Sequence, residues 1–253
     1  MELSKRLTAV AGLVTEGASV ADIGTDHGYI PIYLIEQNLS PKVIAMDINK
    51  GPLERARIHI AGYGMSDRIE TRLSDGLAAV KPKEVEEMIV AGMGGGLVIH
   101  ILEEGKQIVS TLKGCILQPQ SEIQKVREYL VEHGFRFEAE DMVEEDGKYY
   151  PMMRLIGPGA EQKTGSCDAG SSGNAGINVG TAESWSQVEY AFGKLLLQRH
   201  DPVLREFLLK EKAQYAQVRR TVSDKMAEDG RGRVQEIDAY LALIGEALAY
   251  DGM

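Results

Sequence analysis

Apolar and polar positions along this chain follow two rhythms. Up to about residue 156, short apolar runs that end at an acid or a glycine alternate with stretches of helical spacing; from Ser184 onward only the helical period persists. Residues 2–15 open with an amphipathic helix, in which Leu3, Leu7, Val10 and Val14 recur on one face. Five strand ends follow: Val20–Asp22, Val43–Asp47, Ile69–Asp75, Met88–Ala91 and Cys115–Gln118. The first two lie one helix length apart, as parallel β-α-β units require. Pro119 is expected to stop the fifth strand, with Ser121 or Glu122 opening the next helix. Phe135 to Met142 and Tyr149 to Ile156 read as two last strands around the polar turn Glu144–Gly147. The order predicts an α/β, doubly wound sheet closed by an antiparallel hairpin.

Residues 157–182 change character. Glycine, serine, alanine and asparagine dominate, which reads as a linker or loop. Beyond it, Val188, Phe192 and Leu195 share a stripe. Asp201-Pro202 is a helix start, an acid cap with proline in the first turn. Leu204, Leu208, Glu211, Tyr215, Val218 and Val222 then keep a mostly apolar 4-3 rhythm, and Val234, Ile237, Leu241, Ile244 and Leu248 repeat it. With Gly230 and Gly232 breaking the chain between them, the two stretches predict an antiparallel α-helical coiled-coil hairpin. The expected organisation is a sheet domain over 1–156, a linker over 157–182 and a helical domain over 183–253.

Bulk composition narrows the setting. The 253 residues are 43% hydrophobic, enough for one or two cores, and no run is apolar for long enough to span a bilayer. No N-terminal export signal is evident. Two cysteines, Cys115 and Cys167, make no disulfide framework and have no metal-ligand spacing; reduced thiols in a cytoplasmic protein are expected, without a metal. The formal net charge of −10 sits awkwardly with a nucleic-acid partner. Its distribution softens the conflict: residues 204–233 hold eight basic against five acidic residues, among them Arg219 and Arg220. That stretch is either a basic face for RNA or an ordinary solvated helix face.

The chemistry concentrates at strand ends. In Asp22-Ile23-Gly24-Thr25-Asp26-His27-Gly28-Tyr29, two glycines flank a short polar loop, so a small ligand can approach the backbone. Dinucleotide folds place G-x-G-x-x-G here to receive a pyrophosphate. This loop instead carries Asp22 and Asp26, which repel phosphate and attract an ammonium or sulfonium. Another nucleotide, or a plain strand-loop-helix turn, stays open on this motif alone. Asp47, at the second strand end, suits the two hydroxyls of a ribose, or caps a helix; neither role selects the cofactor. Asp75-Gly76 closes the third strand, and Gly92-Met93-Gly94-Gly95-Gly96 the fourth. Gln118 and Gln120 are neutral side chains able to read a base edge, or merely polar loop residues. Arg6 lies beside the first helix's apolar stripe and faces solvent or RNA.

The D-x-G-x-x-x-G spacing resembles the first motif of class I methyltransferases. Taken with Leu3–Leu7, Ala21–Pro31, Ala45–Ile48, Ala91–Gly95 and Leu117–Gln120, the chain resembles the TrmK family, bacterial tRNA adenine N1-methyltransferases that act on D-loop position 22. The resemblance covers roughly residues 1–156 and, more loosely, the helical end; the long 157–182 stretch departs from it. It implies a Rossmann-like class I sheet with a C-terminal coiled-coil hairpin, S-adenosyl-L-methionine as cofactor and tRNA as partner. Cofactor contacts are then expected from Asp22, Gly24, Gly28, Asp47, Ile48, Asp75, Gly76, Gly92, Met93 and Gly94. Asp26, Tyr29 and His27 are the candidate catalytic side chains: Asp26 to stabilise the ring charge that develops, Tyr29 to stack on the base, His27 to hold the loop or touch RNA. Arg6, Gln118, Gln120, Arg219 and Arg220 are candidate substrate contacts, with Lys148, Tyr149 and Tyr150 nearby. The absence of an Asp/Asn-Pro-Pro-aromatic motif at the fourth strand argues against exocyclic amine methylation. Two other readings remain: a methyltransferase for a small molecule or protein, and a non-catalytic nucleotide- or RNA-binding module.

Overall fold

The computed structural model describes residues 1–158, 184–224 and 230–250. Seven strands form one sheet: β1 (Val20–Ile23), β2 (Val43–Asp47), β3 (Ile69–Leu73), β4 (Glu87–Gly94), β5 (Gly114–Ser121), β6 (Arg136–Glu145) and β7 (Lys148–Ile156). Their order is β3-β2-β1-β4-β5-β7-β6. The first five strands run parallel, and β7 is antiparallel to both β5 and β6.

The strands read as continuous apolar runs because both faces are covered. Val20, Val43 and Ala45 point to one face, where they pack with α1 (Lys5–Gly12), α2 (Tyr29–Glu36) and α3 (Lys50–Gly62). Ala21, Ile44 and Met46 alternate to the other face, against α4 (Gly95–Glu104), α5 (Lys106–Val109) and α6 (Ile123–Glu132). The strand order reverses between β1 and β4. Connections depart to opposite sides there, and a crevice stays open at the carboxyl ends of those strands.

The helical part comprises α7 (Gln187–Phe192), α8 (Lys194–Gln198), α9 (Pro202–Asp224) and α10 (Gly230–Leu248). Asp201 caps α9 as expected, its Oδ1 accepting from the Val203 and Leu204 backbone N–H groups at 3.0 and 2.9 Å. Leu204, Leu208, Ile244 and Ala247 bury between α9 and α10, together with Phe192, Leu196 and Met142 of β6. Tyr149 of β7 leans on Phe207 and donates to Glu206 at 2.8 Å. Tyr149, which the sequence placed near the candidate substrate contacts, thus docks the sheet's last hairpin onto α9.

A buried ion pair ties the two parts together. Arg127 of α6 donates to Glu140 of β6 at 2.8 Å, with the two side chains 2% and 0% exposed. Arg127 also donates to the Tyr190 and Ala191 carbonyls, and Glu140 accepts the Leu195 backbone N–H. Every contact beyond the pair itself lands on the α7–α8 corner. Gly193 forms that corner at φ 98°, and a Cβ there would sit 2.6 Å from the Glu140 carboxylate. Only glycine meets both demands.

Several expected boundaries move. α1 spans Lys5–Gly12 rather than 2–15. Pro119 does not stop β5, which continues to Ser121; it sits where the β4–β5 register shifts around Gly92, the kind of irregularity at which a strand tolerates proline. Glu122, at φ 51°, leads into α6 with no side-chain cap. The β6–β7 turn is two residues, Asp146 and Gly147, both at positive φ, which matches the strands' twist. Gly230 and Gly232 lie in the first turn of α10 rather than in a break. The expected linker from residue 159 to 182, Cys167 and Lys225 fall outside the described residues.

Replacing Glu140 with alanine leaves the Arg127 guanidinium buried without its counter-charge. The expected cost is about 3–5 kcal/mol, read from urea unfolding. A loss below about 1 kcal/mol would show that water or a neighbour takes over the charge.

Candidate active site

Most expected cofactor residues converge at the open crevice. β1 delivers Asp22 and then Gly24, β2 delivers Asp47 and Ile48, β3 leads into Asp75-Gly76, and β4 ends in Gly92, Met93 and Gly94. Asp22 is 5% exposed and accounts for the site's electrostatics. Burial pushes its carboxyl up to about 6, the Thr25 hydroxyl partly offsets this, and the Asp47 carboxylate adds to the rise. The Thr25 hydroxyl is buried close enough to Asp22 to favour its charged form, yet it meets the geometry of a full hydrogen bond with no group among the described residues. An acid raised by burial and by a second acid is held against its preference, and a cation brought into the crevice reverses that.

Gly24 lies at φ 77°, and any Cβ there would run into the terminal methyl of Met93. The strand ends thus approach so closely that Met93 lies across the β1 loop. Gly28, also at positive φ, begins α2 with its backbone alone. Asp47 accepts the Asn49 backbone N–H at 2.6 Å through one oxygen, which orients the carboxylate. Ile48 next to it is 58% exposed, an unusual setting for isoleucine and a suitable face for a heteroaromatic ring. Asp75 is exposed beyond β3.

Asp26, His27 and Tyr29 stand at the rim. Asp26 is exposed, 3.5 Å from both the Arg55 guanidinium and His27 Nε2. His27 stacks on Tyr29 with ring centroids 5.3 Å apart. Its carbonyl oxygen lies 3.1 Å from His59 Nδ1, which places a proton on that nitrogen. His59 contacts both rings edge-on, and Tyr63 contacts His59. Neither His59 nor Tyr63 stood out in the sequence. His59 lies in a helix with little apolar periodicity and Tyr63 caps its C-terminal end, and only the fold brings them to the loop.

On the opposite side, Arg6 of α1 reaches the ends of β4 and β5. It donates to Gln118 Oε1 at 2.8 Å and lies 5.5 Å over the Tyr150 ring. The same Gln118 oxygen accepts the Gly92 backbone N–H at 3.2 Å. Gln118 is fully buried, so the expectation that it reads a base edge is corrected: it holds Arg6 and Gly92 in place. Gln120 is exposed, close to Gly92. Arg219 and Arg220 lie far along α9. Both are exposed, and Arg219 is paired with Asp238 of α10. Among the described residues, no group of three or more His, Cys, Asp or Glu is placed to hold a metal, and no helix is long and apolar enough to cross a membrane.

The fold and crevice define a methyltransferase domain, and the family model of that description matches residues 3–153. The tRNA (adenine(22)-N(1))-methyltransferase of Bacillus subtilis is 38% identical over 153 residues, 60% of this chain and 64% of that enzyme. The sequence match thus spans less than two thirds of this curated relative. Solved structures extend the likeness along the chain. A putative tRNA (m1A22) methyltransferase of Streptococcus pneumoniae, in complex with S-adenosyl-L-methionine, is 29% identical, covers 98% of this chain and 100% of its own, and superposes with a TM-score of 0.78. The B. subtilis m1A22 tRNA methyltransferase TrmK is 27% identical, covers 98% and 99%, and has a TM-score of 0.77. The chain belongs to the methyltransferase family whose model it matches, and TrmK is among the proteins it is similar to.

The buried acid makes a prediction about pH. The folded chain holds the Asp22 proton up to about 6 against an ordinary 3.8, so stability falls as pH climbs between those values and the penalty is complete above them. In the ligand-free protein, Asp22→Asn is expected to raise stability at pH 7 by up to about 3 kcal/mol. It should also flatten the decline between pH 4 and 6, as measured by urea unfolding. A slope that persists in the variant would assign it to another group.

Proposed function

We infer that this protein is an S-adenosylmethionine-dependent methyltransferase that methylates N1 of an adenine in tRNA, at D-loop position 22. The observation that carries the reading is the crevice itself. Two carboxylates on adjacent strand ends, one buried, with an unpartnered hydroxyl and a glycine cradle, fit a cationic adenosine cofactor and repel a pyrophosphate. The choice of tRNA and of position 22 rests on the relatives, which are tRNA methyltransferases named for that adenine.

When bound, S-adenosylmethionine supplies a methyl group already activated by its sulfonium. The chain's residues have to align rather than activate, and alignment is worth several orders of magnitude in rate. Asp22 and the β1 loop hold the methionine end, Asp47 takes the ribose hydroxyls, and Ile48 and Asp75 meet the adenine. Gly92, Met93 and Gly94 bring backbone close to the transfer point. Adenine N1 carries a free lone pair near neutral pH, so no general base is needed. Its methylation leaves a cationic ring, and Asp26 at the rim stabilises that charge as it develops. Tyr29 offers a stacking face to a base taken out of its pairing, with His27 fixing the ring from behind. Arg6, braced by Gln118 and Tyr150, stands where a backbone phosphate of the target nucleotide passes. Arg219 and Arg220 extend a basic face along the arm. A tRNA substrate assigns the protein to the cytoplasm.

Incubation with tritiated cofactor and unmodified tRNA, followed by nucleoside analysis, is expected to yield label on 1-methyladenosine. Label on another nucleoside, or none on any tRNA, overturns the reading in favour of a small-molecule or protein substrate. Asp47→Ala should weaken cofactor binding roughly 10–100-fold in calorimetry, through lost hydrogen bonds to a charged acceptor. Asp26→Ala should lower kcat about tenfold while leaving cofactor affinity nearly unchanged. Equal losses in both would confine Asp26 to cofactor binding.

A further inference from the structure

Four rings meet beside the crevice in a chain whose Phe, Trp and Tyr make up only 6% of residues. Tyr29 stacks with His27, and His59 sets its edge against Tyr29 at 5.4 Å and against Tyr63 at 5.8 Å. His59 and Tyr63 are four residues apart, one helical turn, so the series leads from the crevice rim down the outer side of α3. The cluster is not core. Tyr29 is 37% exposed and Tyr63 42%, and Ile58 beside them is 66% exposed. Surface area of this kind on a folded chain marks a contact site.

Charge indicates the kind of partner. The chain as a whole is −10, yet α3 carries Lys50, Arg55 and Arg57 against Glu54 alone. Arg55 stands nearest the rim. Its one carboxylate contact, Asp26, is solvent-exposed at 3.5 Å, a pairing worth little in water. Arg57 is held by Glu54 and the Thr71 hydroxyl. Exposed rings in series with guanidinium groups alongside suit unpaired nucleotides, whose bases stack while phosphates meet cations. A protein partner would be served by apolar area and has no need of exposed rings beside guanidinium groups.

We propose that Tyr29, His59 and Tyr63, set edge-to-face, form a ladder whose exposed tyrosine faces stack unpaired tRNA nucleotides next to the target adenine, with Arg55 meeting their phosphates. The proposal rests on the tRNA methyltransferase reading and adds where the RNA lies: over the α2–α3 side of the crevice, opposite Arg6. Tyr63 is the informative position, because its ring contact is with His59 and it takes no part in the His27–His59 hydrogen bond.

The test is steady-state methylation of unmodified tRNA at saturating S-adenosylmethionine by the full chain, Tyr63→Ala and Tyr63→Phe. Tyr63→Ala is expected to raise KM for tRNA about tenfold with kcat changed less than about threefold. Tyr63→Phe keeps the ring and should stay within about twofold of the unsubstituted protein. Cofactor affinity by calorimetry and the thermal midpoint should be the same in all three. An unchanged KM in Tyr63→Ala overturns the proposal and leaves the patch to some other partner. Equal losses in the Ala and Phe variants, or a KM rise matched by a fall in thermal midpoint, also overturn it, since packing rather than stacking would then explain the effect. If the unsubstituted protein transfers no methyl group to tRNA, the underlying reading fails and the ladder with it.

Discussion

The reversal of strand order between β1 and β4 is the constraint from which the site follows. Helices that cover a parallel sheet leave that one edge bare, because the connections on either side of it diverge. Strand ends arriving there expose backbone and bring acids together. Asp22 ends up buried within reach of the Asp47 charge, an arrangement that costs the ligand-free chain stability. The cost is tolerable only as part of a binding site: a cationic ligand removes the repulsion that folding imposes. Thr25, buried with its hydroxyl unpartnered, belongs to the same unfinished arrangement.

The strand ends were legible because they depend on local pattern. An apolar run that stops at an acid identifies Asp22 and Asp47 without reference to anything distant, and the period-2 partition of Val43, Ile44, Ala45 and Met46 between two cores is written into their order. The Asp201-Pro202 start was equally local. What could not be read were contacts between residues far apart in sequence. Arg6 and Gln118 are separated by 112 positions, and nothing near either one announces the other. Gln118 looked like a reader of base edges because a neutral amide at a strand end resembles one; only burial shows that it is a brace. Pro119 misled for a related reason. A proline ends a strand when it removes a ladder bond, and here the register already slips beside Gly92.

The same logic explains the arm. Its apolar stripes predict a hairpin, yet they say nothing about how that hairpin attaches. Attachment comes from Arg127 and Glu140, which look like two ordinary surface charges in sequence and are the most buried ion pair described. Burying two charges is costly unless every remaining donor and acceptor finds a partner. Here the partners are backbone groups at the α7–α8 corner, which Gly193 makes possible. Tyr149, Glu206 and Lys210, which donates to the Gly147 carbonyl, add a second point of attachment on the β6–β7 hairpin. An arm fixed at two points carries its basic residues at a set distance from the crevice.

On the proposed reading, an acidic methyltransferase that takes a polyanionic substrate has to concentrate its cations where they count. Three places on this chain do so: Arg6 at the β4–β5 side of the crevice, the Lys50–Arg57 face of α3 on the other, and the outer stretch of α9. Over the rest of the chain acids outnumber cations, so RNA laid down elsewhere would meet net repulsion. Counter-ion release from a few phosphates gives modest affinity with strong salt dependence, and repulsion elsewhere turns that weak attraction into a defined pose. Net charge then opposes non-specific RNA binding while local charge selects one approach to the crevice. On this view the −10 that first counted against an RNA partner is part of how the protein tells one RNA surface from another.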